Sequence, residues 1–238
     1  MVLPRMPEAV VFDMDGLLFD TETLYRDAIM AAAAEDGIAM TLEVFQGLLG
    51  SPWPANRQSL LDHFGADFPV DALRDGWMRH FAALVETRLA LKPGVAELLD
   101  TLDALGIRRA IATSSRHRDV ARYLEAHRLQ GRFHAVIAHG DYAAGKPAPD
   151  PFLRAAERLG ADPAACLALE DSFNGIRSAA AAGMVAVMVP DLLAPTEEIR
   201  GLCTLVVPDL HAVCDLVRAA SAGASGRGFE AANPAGIA

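Results

Sequence analysis

Two aspartates, Asp13 and Asp15, end the apolar run "AVVFDMDG" with one residue between them, and Gly16 follows at once. Like charges crowded at the end of a buried run repel, so the pair needs a cation or a reaction that uses it. Three later runs also end in polar groups: Thr113, Ser114 and Ser115 in "IATSSR", Glu170 and Asp171 in "LALEDSFNG", and, in the loop "AHGDYAAGKPAPD", Lys146. Carboxylates with room left for water suit Mg2+, and a bound divalent cation attracts an oxyanion such as phosphate. A lysine ammonium would balance the remaining charge, while a hydroxyl and backbone N–H groups would bond the other oxygens. One ionised aspartate beside a phosphoryl group can act as nucleophile, and a second carboxyl two residues on can give and then take a proton. The residue types predict a phosphoryl-transfer site.

Each group has a plainer explanation. A turn with an N-cap would account for one aspartate and Gly16, but not for an acid at the last strand position. Thr113 could close a strand while Ser114 or Ser115 caps the helix beginning near His117. Lys146 could be a loop lysine before a proline, and Glu170 with Asp171 a helix-capping pair. All four would then have to reach the same sheet edge by accident. Lysine is also scarce: of the 21 basic residues only Lys92 and Lys146 are lysines. A chain that otherwise uses arginine keeps lysine where it needs it.

The elements that must carry these residues follow from hydrophobic spacing. Short apolar runs lacking polar alternation read as strands buried on both faces: Ala9–Phe12, Ala110–Ala112, Ala135–Ala138, Cys166–Leu169, Val185–Val189 and Leu205–Val207. Val95, Leu98, Leu99, Leu102 and Leu105 form a helical stripe ended by Gly106. Strand–helix alternation predicts an α/β fold: a Rossmann-like parallel sheet with helices on both faces. Ligands bind at the carboxyl ends of such strands, where the polar groups stand. Residues 21–90 carry no convincing strand but four helical stretches, roughly 22–36, 41–49, 54–64 and 70–88. A helical module inserted after the first strand is therefore expected. The division is 1–20 and 91–220 for the core, 21–90 for the helical cap, and 221–238 for a loose Gly/Ala/Ser-rich tail.

Composition narrows the function classes. With 238 residues, 52% hydrophobic, the chain can bury one large domain with a smaller insertion. A net charge of −10 opposes a general nucleic-acid or anionic-membrane role. No apolar run is long enough to cross a bilayer. The three cysteines have no close-spaced pairs, and Cys166 and Cys203 adjoin apolar runs, so reduced buried thiols and a cytoplasmic location are expected. A monomer is expected as well. The seven arginines between Arg108 and Arg132 form either a solvated helix face or a patch that steers anions.

Taken together, "DMDGLLFDTE", "IATSS", "GKPAPDPF" and "LALEDSFNGI" resemble, in order, the four motifs of the haloacid dehalogenase-like superfamily, most of whose members are phosphatases. "KPGVAELLDTLDALG" is similar to the segment by which such chains return from cap to core, and the likeness spans about residues 8–210. The resemblance implies that Asp13 is a nucleophile forming an aspartyl-phosphate and that Asp15 protonates the leaving oxygen and then activates water. It further implies that Thr113, Ser114 and Lys146 hold phosphoryl oxygens. Asp13, Asp15 (through its backbone carbonyl), Glu170 and Asp171 would hold Mg2+, and residues 21–90 would be the cap. The substrate would be a small phosphomonoester, of sugar-phosphate or phosphoglycolate type.

Departures from the pattern sort the relatives. Dehalogenases lack the second aspartate, as do phosphonate-cleaving members, which add a cap lysine; no lysine stands between residues 1 and 91 here. The motifs resemble the β-phosphoglucomutase-like subfamily, but its mutases have a histidine where Tyr25 stands, and lysine and arginine where "LLGSPWP" offers Leu49 and Trp53. A mutase must grip a bisphosphate and exclude water, so hydrolysis is favoured and mutase chemistry is the alternative. Phospho-acceptor signalling domains use similar residues in another order, with lysine last. In the cap segment Gly50–Arg57, Trp53 could stack on a sugar or other planar group and Arg57 could bind a second anion, the alternative for both being plain packing within the cap. His117 would touch substrate or merely begin a helix at the surface.

Overall fold

The computed structural model describes residues 1–49 and 53–227. Six parallel strands form one sheet in the order β3-β2-β1-β4-β5-β6. They are β1 (Ala9–Phe12), β2 (Arg108–Ala112), β3 (Ala135–Ile137), β4 (Cys166–Glu170), β5 (Val185–Met188) and β6 (Leu205–Val206). Every strand expected from the apolar runs is present, with ends shifted by up to two residues. β1 lies between β2 and β4, where the order reverses, so the crevice beyond its carboxyl end is the expected ligand position.

The strands alternate between two separate cores. Val10, Phe12, Ile111, Leu167, Leu169 and Val187 face one, together with Val95, Leu98, Leu99 and Leu102 of α5 (Val95–Ala104) and Val213, Cys214 and Val217 of α10 (Leu210–Arg227). Ala9, Val11, Ala110, Ala112, Cys166, Ala168 and Ala186 face the other, against Phe152, Ala155 and Ala156 of α7 (Asp150–Leu159) and Ile176 and Ala179 of α8 (Phe173–Ala181). Mostly small side chains on the second face let those helices lie close. Period-two alternation is thus present in the backbone but invisible in polarity, because both faces are covered. Leu105, placed in the α5 stripe by spacing, is instead the C-cap residue and about a third exposed (36%), since the helix ends at Ala104.

Between β1 and α5 lie α1 (Thr21–Glu35), α2 (Leu42–Leu48), α3 (Trp53–Phe64) and α4 (Val70–Arg88). α1 and α4 pack through Tyr25, which stacks on Phe81 at 3.9 Å and meets Trp77 edge-on, while the Trp77 indole N–H donates to the Tyr25 carbonyl at 3.0 Å. The remaining helices, α6 (His117–Ala126) and α9 (Glu197–Leu202), join the sheet's faces. The tail expected to be loose from residue 221 is corrected in part: α10 continues to Arg227, and residues 228–238 lie outside the described residues. Of the cysteines, all free, Cys166 and Cys214 are buried but Cys203 only partly so. Among the arginines of the 108–132 stretch, Arg109 is buried and paired with Asp103, and Arg132 pairs with Asp100 and Asp103, so these two brace the fold rather than form a free patch.

Candidate active site

The ladder carries the acids to one level. Phe12 is in register with Leu169, and the Asp13 N–H extends the pairing by donating to the Leu169 carbonyl at 2.9 Å. Asp13 and Glu170 therefore leave adjacent strands side by side. On the other flank, the Thr113 N–H continues β2 by donating to Ile137 at 2.9 Å. Thr113 is buried, and its hydroxyl accepts from the Ser115 N–H at 3.0 Å.

Lys146 reaches this point from the loop before α7. Its ammonium donates to Asp13 Oδ1 and to Glu170 Oε1. Glu170 is wholly buried, and its other oxygen accepts from the Ser172 N–H at 3.0 Å and the Ser172 hydroxyl at 2.9 Å. Both oxygens of a buried charge are thus occupied, which is the condition for tolerating it. Gly175 makes room: a Cβ there would lie 1.8 Å from the Glu170 carboxyl carbon. The capping explanation for Glu170 and Asp171 fails, because Ser172 caps α8 by accepting from the Gly175 N–H. Neither Ser114 nor Ser115 caps α6, whose N-cap residue is Arg116 without a side-chain bond. Ser115 instead donates its hydroxyl to Asp15 Oδ2 at 2.6 Å.

The turn after β1 is tight. Leu18 and Phe19 both donate backbone N–H groups to the Met14 carbonyl, and the Gly16 N–H donates to the Thr21 hydroxyl at 3.1 Å. Met14, Leu17, Leu18 and Phe19 are all buried, so apolar anchors on both sides clamp the acidic residues in place.

Acids outnumber the one lysine among them. Oxygens of Asp13, Glu170 and Asp171 lie within 4.8 Å of one another, facing one lysine. Burial raises the Asp13 carboxyl above its ordinary range; Lys146 opposes this, and Glu170 and Asp15 add to it. Burial, then Glu170 and Asp13, push Asp171 up strongly. Burial also disfavours the Lys146 ammonium, but the two carboxylates outweigh it and raise its pKa. Asp171 Oδ1 is buried and accepts no hydrogen bond. An orphaned carboxylate oxygen beside two more acids, with oxygen donors only, fits a hard divalent cation. Asp15 is not in that trio through its side chain; burial raises its carboxyl, while the hydroxyls of Ser115 and Thr21 draw it back.

A cavity of about 520 Å³ opens over these groups, lined by Asp13, Asp15, Thr113, Ser114, Lys146 and Asp171. Glu170 is sealed beneath. The residues proposed for substrate contact from the helical segment stand elsewhere. Trp53 lies under the Arg74 guanidinium at 4.4 Å, and Arg57 pairs with Asp71 at 3.6 Å; neither lines the cavity. The rest of the expected contact segment, residues 50–52, lies outside the described residues. His117 starts α6 at the surface, bonded to Asp141 at 2.8 Å. Leu49 does reach the cavity, as do Glu22, Asn174, Leu192 and Leu193, none of which had been given a binding role. Glu22 lies within the first motif, the one signal available for it. Nothing in "PDLLAP" marks Leu192 and Leu193 as a cavity wall.

The fold is that of a known class of hydrolases. A family model of haloacid dehalogenase-like hydrolases matches residues 7–183, and the chain belongs to that family, as a phosphoric monoester hydrolase. Protein CbbY (plasmid) of Cupriavidus necator is 34% identical over 85% of this chain and 85% of its own length. The fructose-1-phosphate phosphatase YqaB of Escherichia coli is 34% identical over 76% of this chain and 95% of its own. A crystal structure of CbbY from Rhodobacter sphaeroides in complex with phosphate aligns with TM-score 0.68 and 30% identity, covering 86% of this chain and 95% of that one.

Proposed function

We propose that this chain is a Mg2+-dependent phosphatase acting on a small phosphorylated sugar or a similar phosphomonoester through an aspartyl-phosphate on Asp13. The observation that carries the reading is the cluster of Asp13, Glu170 and Asp171, with Lys146 bonded to the first two, beside a cavity that Asp13, Asp171 and Lys146 line. The relatives named for phosphatase activity and the phosphate-bound CbbY structure support the substrate class.

A divalent cation held by Asp13, Asp171 and the Asp15 carbonyl, with Glu170 beside them, would neutralise phosphoryl charge. Lys146 and Thr113, with Ser114 beside it, would bind the non-bridging oxygens. An Asp13 carboxylate oxygen attacks phosphorus as the ester P–O bond breaks, and Asp15 gives its proton to the departing oxygen. The raised Asp15 carboxyl is suited to carrying that proton. Asp15 then takes a proton from water, whose oxygen attacks phosphorus. The Asp13–phosphorus bond breaks and inorganic phosphate leaves. Helices α1–α4 act as the cap over this cavity, to which α1 contributes Glu22 and the C-cap of α2 contributes Leu49.

Phosphate release from a panel of sugar phosphates, phosphoglycolate and nucleotides, run with Mg2+ and with EDTA, tests the reading. Release that needs Mg2+ is expected. Equal release in EDTA, or none from any ester with Mg2+, would overturn it.

A further inference from the structure

Lys92, the second of the chain's two lysines, takes no part in the chemistry above. It stands where the chain returns from α4 to the sheet. The outgoing and returning connections run side by side: the Asp20 N–H donates to Ala90 at 2.9 Å, the Lys92 N–H donates to Leu18 at 3.0 Å, and Phe19 bridges Leu91 in antiparallel fashion. These two connections are the covalent links between α1–α4 and the sheet.

The Lys92 ammonium lies 2.7 Å from Asp191 Oδ1 and 3.9 Å from Asp20 Oδ1. Asp20 belongs to the outgoing connection. Asp191 follows β5 and immediately precedes Leu192 and Leu193, two walls of the catalytic cavity. The Asp191 side chain is 9% exposed, and its Oδ2 has no hydrogen-bond partner; neither has Asp20 Oδ1. Among the described residues, Lys92 alone forms an ion pair with either acid. Without it, two carboxylates would face each other a short way from the acids of the site, and their repulsion would push the outgoing connection from the cavity wall. Arginine offers the same charge at similar reach, whereas an apolar side chain of equal length offers none.

We propose that Lys92 is a positioning residue: its ammonium clasps the outgoing connection, the returning connection and the Asp191–Leu193 loop, and so sets how α1–α4 sit over the cavity. The clasp governs substrate binding, and therefore rests on the phosphatase reading, but it does not touch the reacting atoms. Loosening it lowers the fraction of molecules poised to bind, which weakens apparent affinity while leaving the bound complex's chemistry intact.

The test uses the full chain and the variants Lys92→Met, Lys92→Arg and Lys92→Met/Asp191→Asn, each checked for an unchanged far-UV spectrum. With the best ester from the phosphate-release panel, Lys92→Met is expected to raise KM about tenfold while kcat stays within about threefold. Lys92→Arg should return KM towards the parent, and so should the double variant, because removing Asp191's charge removes the repulsion. Amide hydrogen exchange supplies a readout independent of turnover: the peptides spanning residues 17–20 and 89–92 should exchange roughly tenfold faster in Lys92→Met. Unchanged exchange overturns the clasp. Faster exchange with an unchanged KM, or a loss of kcat not rescued by arginine, makes Lys92 a plain structural tie and also overturns it. A parent that hydrolyses no ester would defeat the phosphatase reading alone, and the exchange measurement would still decide the clasp.

Discussion

A Cβ placed on Gly16 would lie 2.2 Å from Oδ2 of Asp171, so the turn after the first strand and the end of the fourth share one space. Gly16 also has φ +80°, a conformation that L side chains rarely adopt. Gly16→Ala should strain the turn and displace the Asp171 carboxylate at once. We expect kcat/KM to fall about a hundredfold and the Mg2+ needed for half-maximal rate to rise, with the far-UV spectrum retained. A variant with parental Mg2+ dependence would show that Asp171 does not act through the cation.

The two aspartates should fail differently. On the proposed mechanism Asp13→Asn removes the nucleophile, so no phospho-enzyme should form and activity should drop by several orders of magnitude. On the same mechanism Asp15→Asn should remove the proton shuttle, an effect of about 10²–10⁴-fold. An aryl phosphate, whose leaving group needs little protonation, should still phosphorylate Asp15→Asn, and the acyl phosphate should persist. Mass spectrometry of the peptide containing Asp13 after brief incubation checks this. Phosphate trapped by Asp13→Asn, or parental turnover by Asp15→Asn, would contradict the assigned roles.

Glu22 makes stability depend on pH. Burial, then Asp15, Asp191 and Asp20, push its carboxyl up to about 7 from the ordinary 4.5, with Lys92 opposing. A raised acid pKa means the folded state holds a proton that the unfolded state has released. Glu22's contribution is therefore fully present below about pH 4.5 and is lost as pH rises to about 7. Because Glu22 is only partly buried, screening keeps the effect to roughly 1–2 kcal/mol. The difference in urea-unfolding free energy between Glu22→Gln and the parent, followed from pH 4.5 to 8 without metal, should grow in favour of the variant over that window. A constant difference would show that Glu22 titrates normally.

Arg57 should matter little to turnover. It is half-exposed and paired with the exposed Asp71, a surface ion pair worth about 0–1 kcal/mol. Arg57→Ala is expected to change KM less than about twofold on monophosphorylated sugars, as for a residue away from the substrate. A tenfold rise would bring Arg57 into the substrate's reach. The same assays should find β-glucose 1-phosphate hydrolysed or ignored rather than isomerised, because Leu49 presents no charge to the cavity.

The strands, their parallel sense and the acid, hydroxyl and lysine groups at their ends were legible in the sequence, because the runs, the strand–helix alternation and the polar ends all lie in short stretches of chain. An apolar run ending in Asp13 or Glu170 states its strand and its terminus within a few residues, and four motifs in order leave little freedom in how they combine. The insertion's helices were legible for the same reason: their stripes and breakers lie within each helix. Distance in the chain hid the rest. Ser114 and Ser115 were equal candidates for a helix cap in the sequence, and only the sheet sets Ser115 2.6 Å from Asp15, a hundred positions away. From their place in the chain Trp53 and Arg57 fit either substrate contact or cap packing, and only the fold gives them Arg74 and Asp71 as partners. Lys92 stood out only as a rare residue, since its partner Asp191 lies in a loop whose position depends on the whole sheet. Local chemistry is written in neighbouring residues, whereas the sealing of Glu170 behind Gly175 and the sharing of one charge among three segments exist only once the layers have closed.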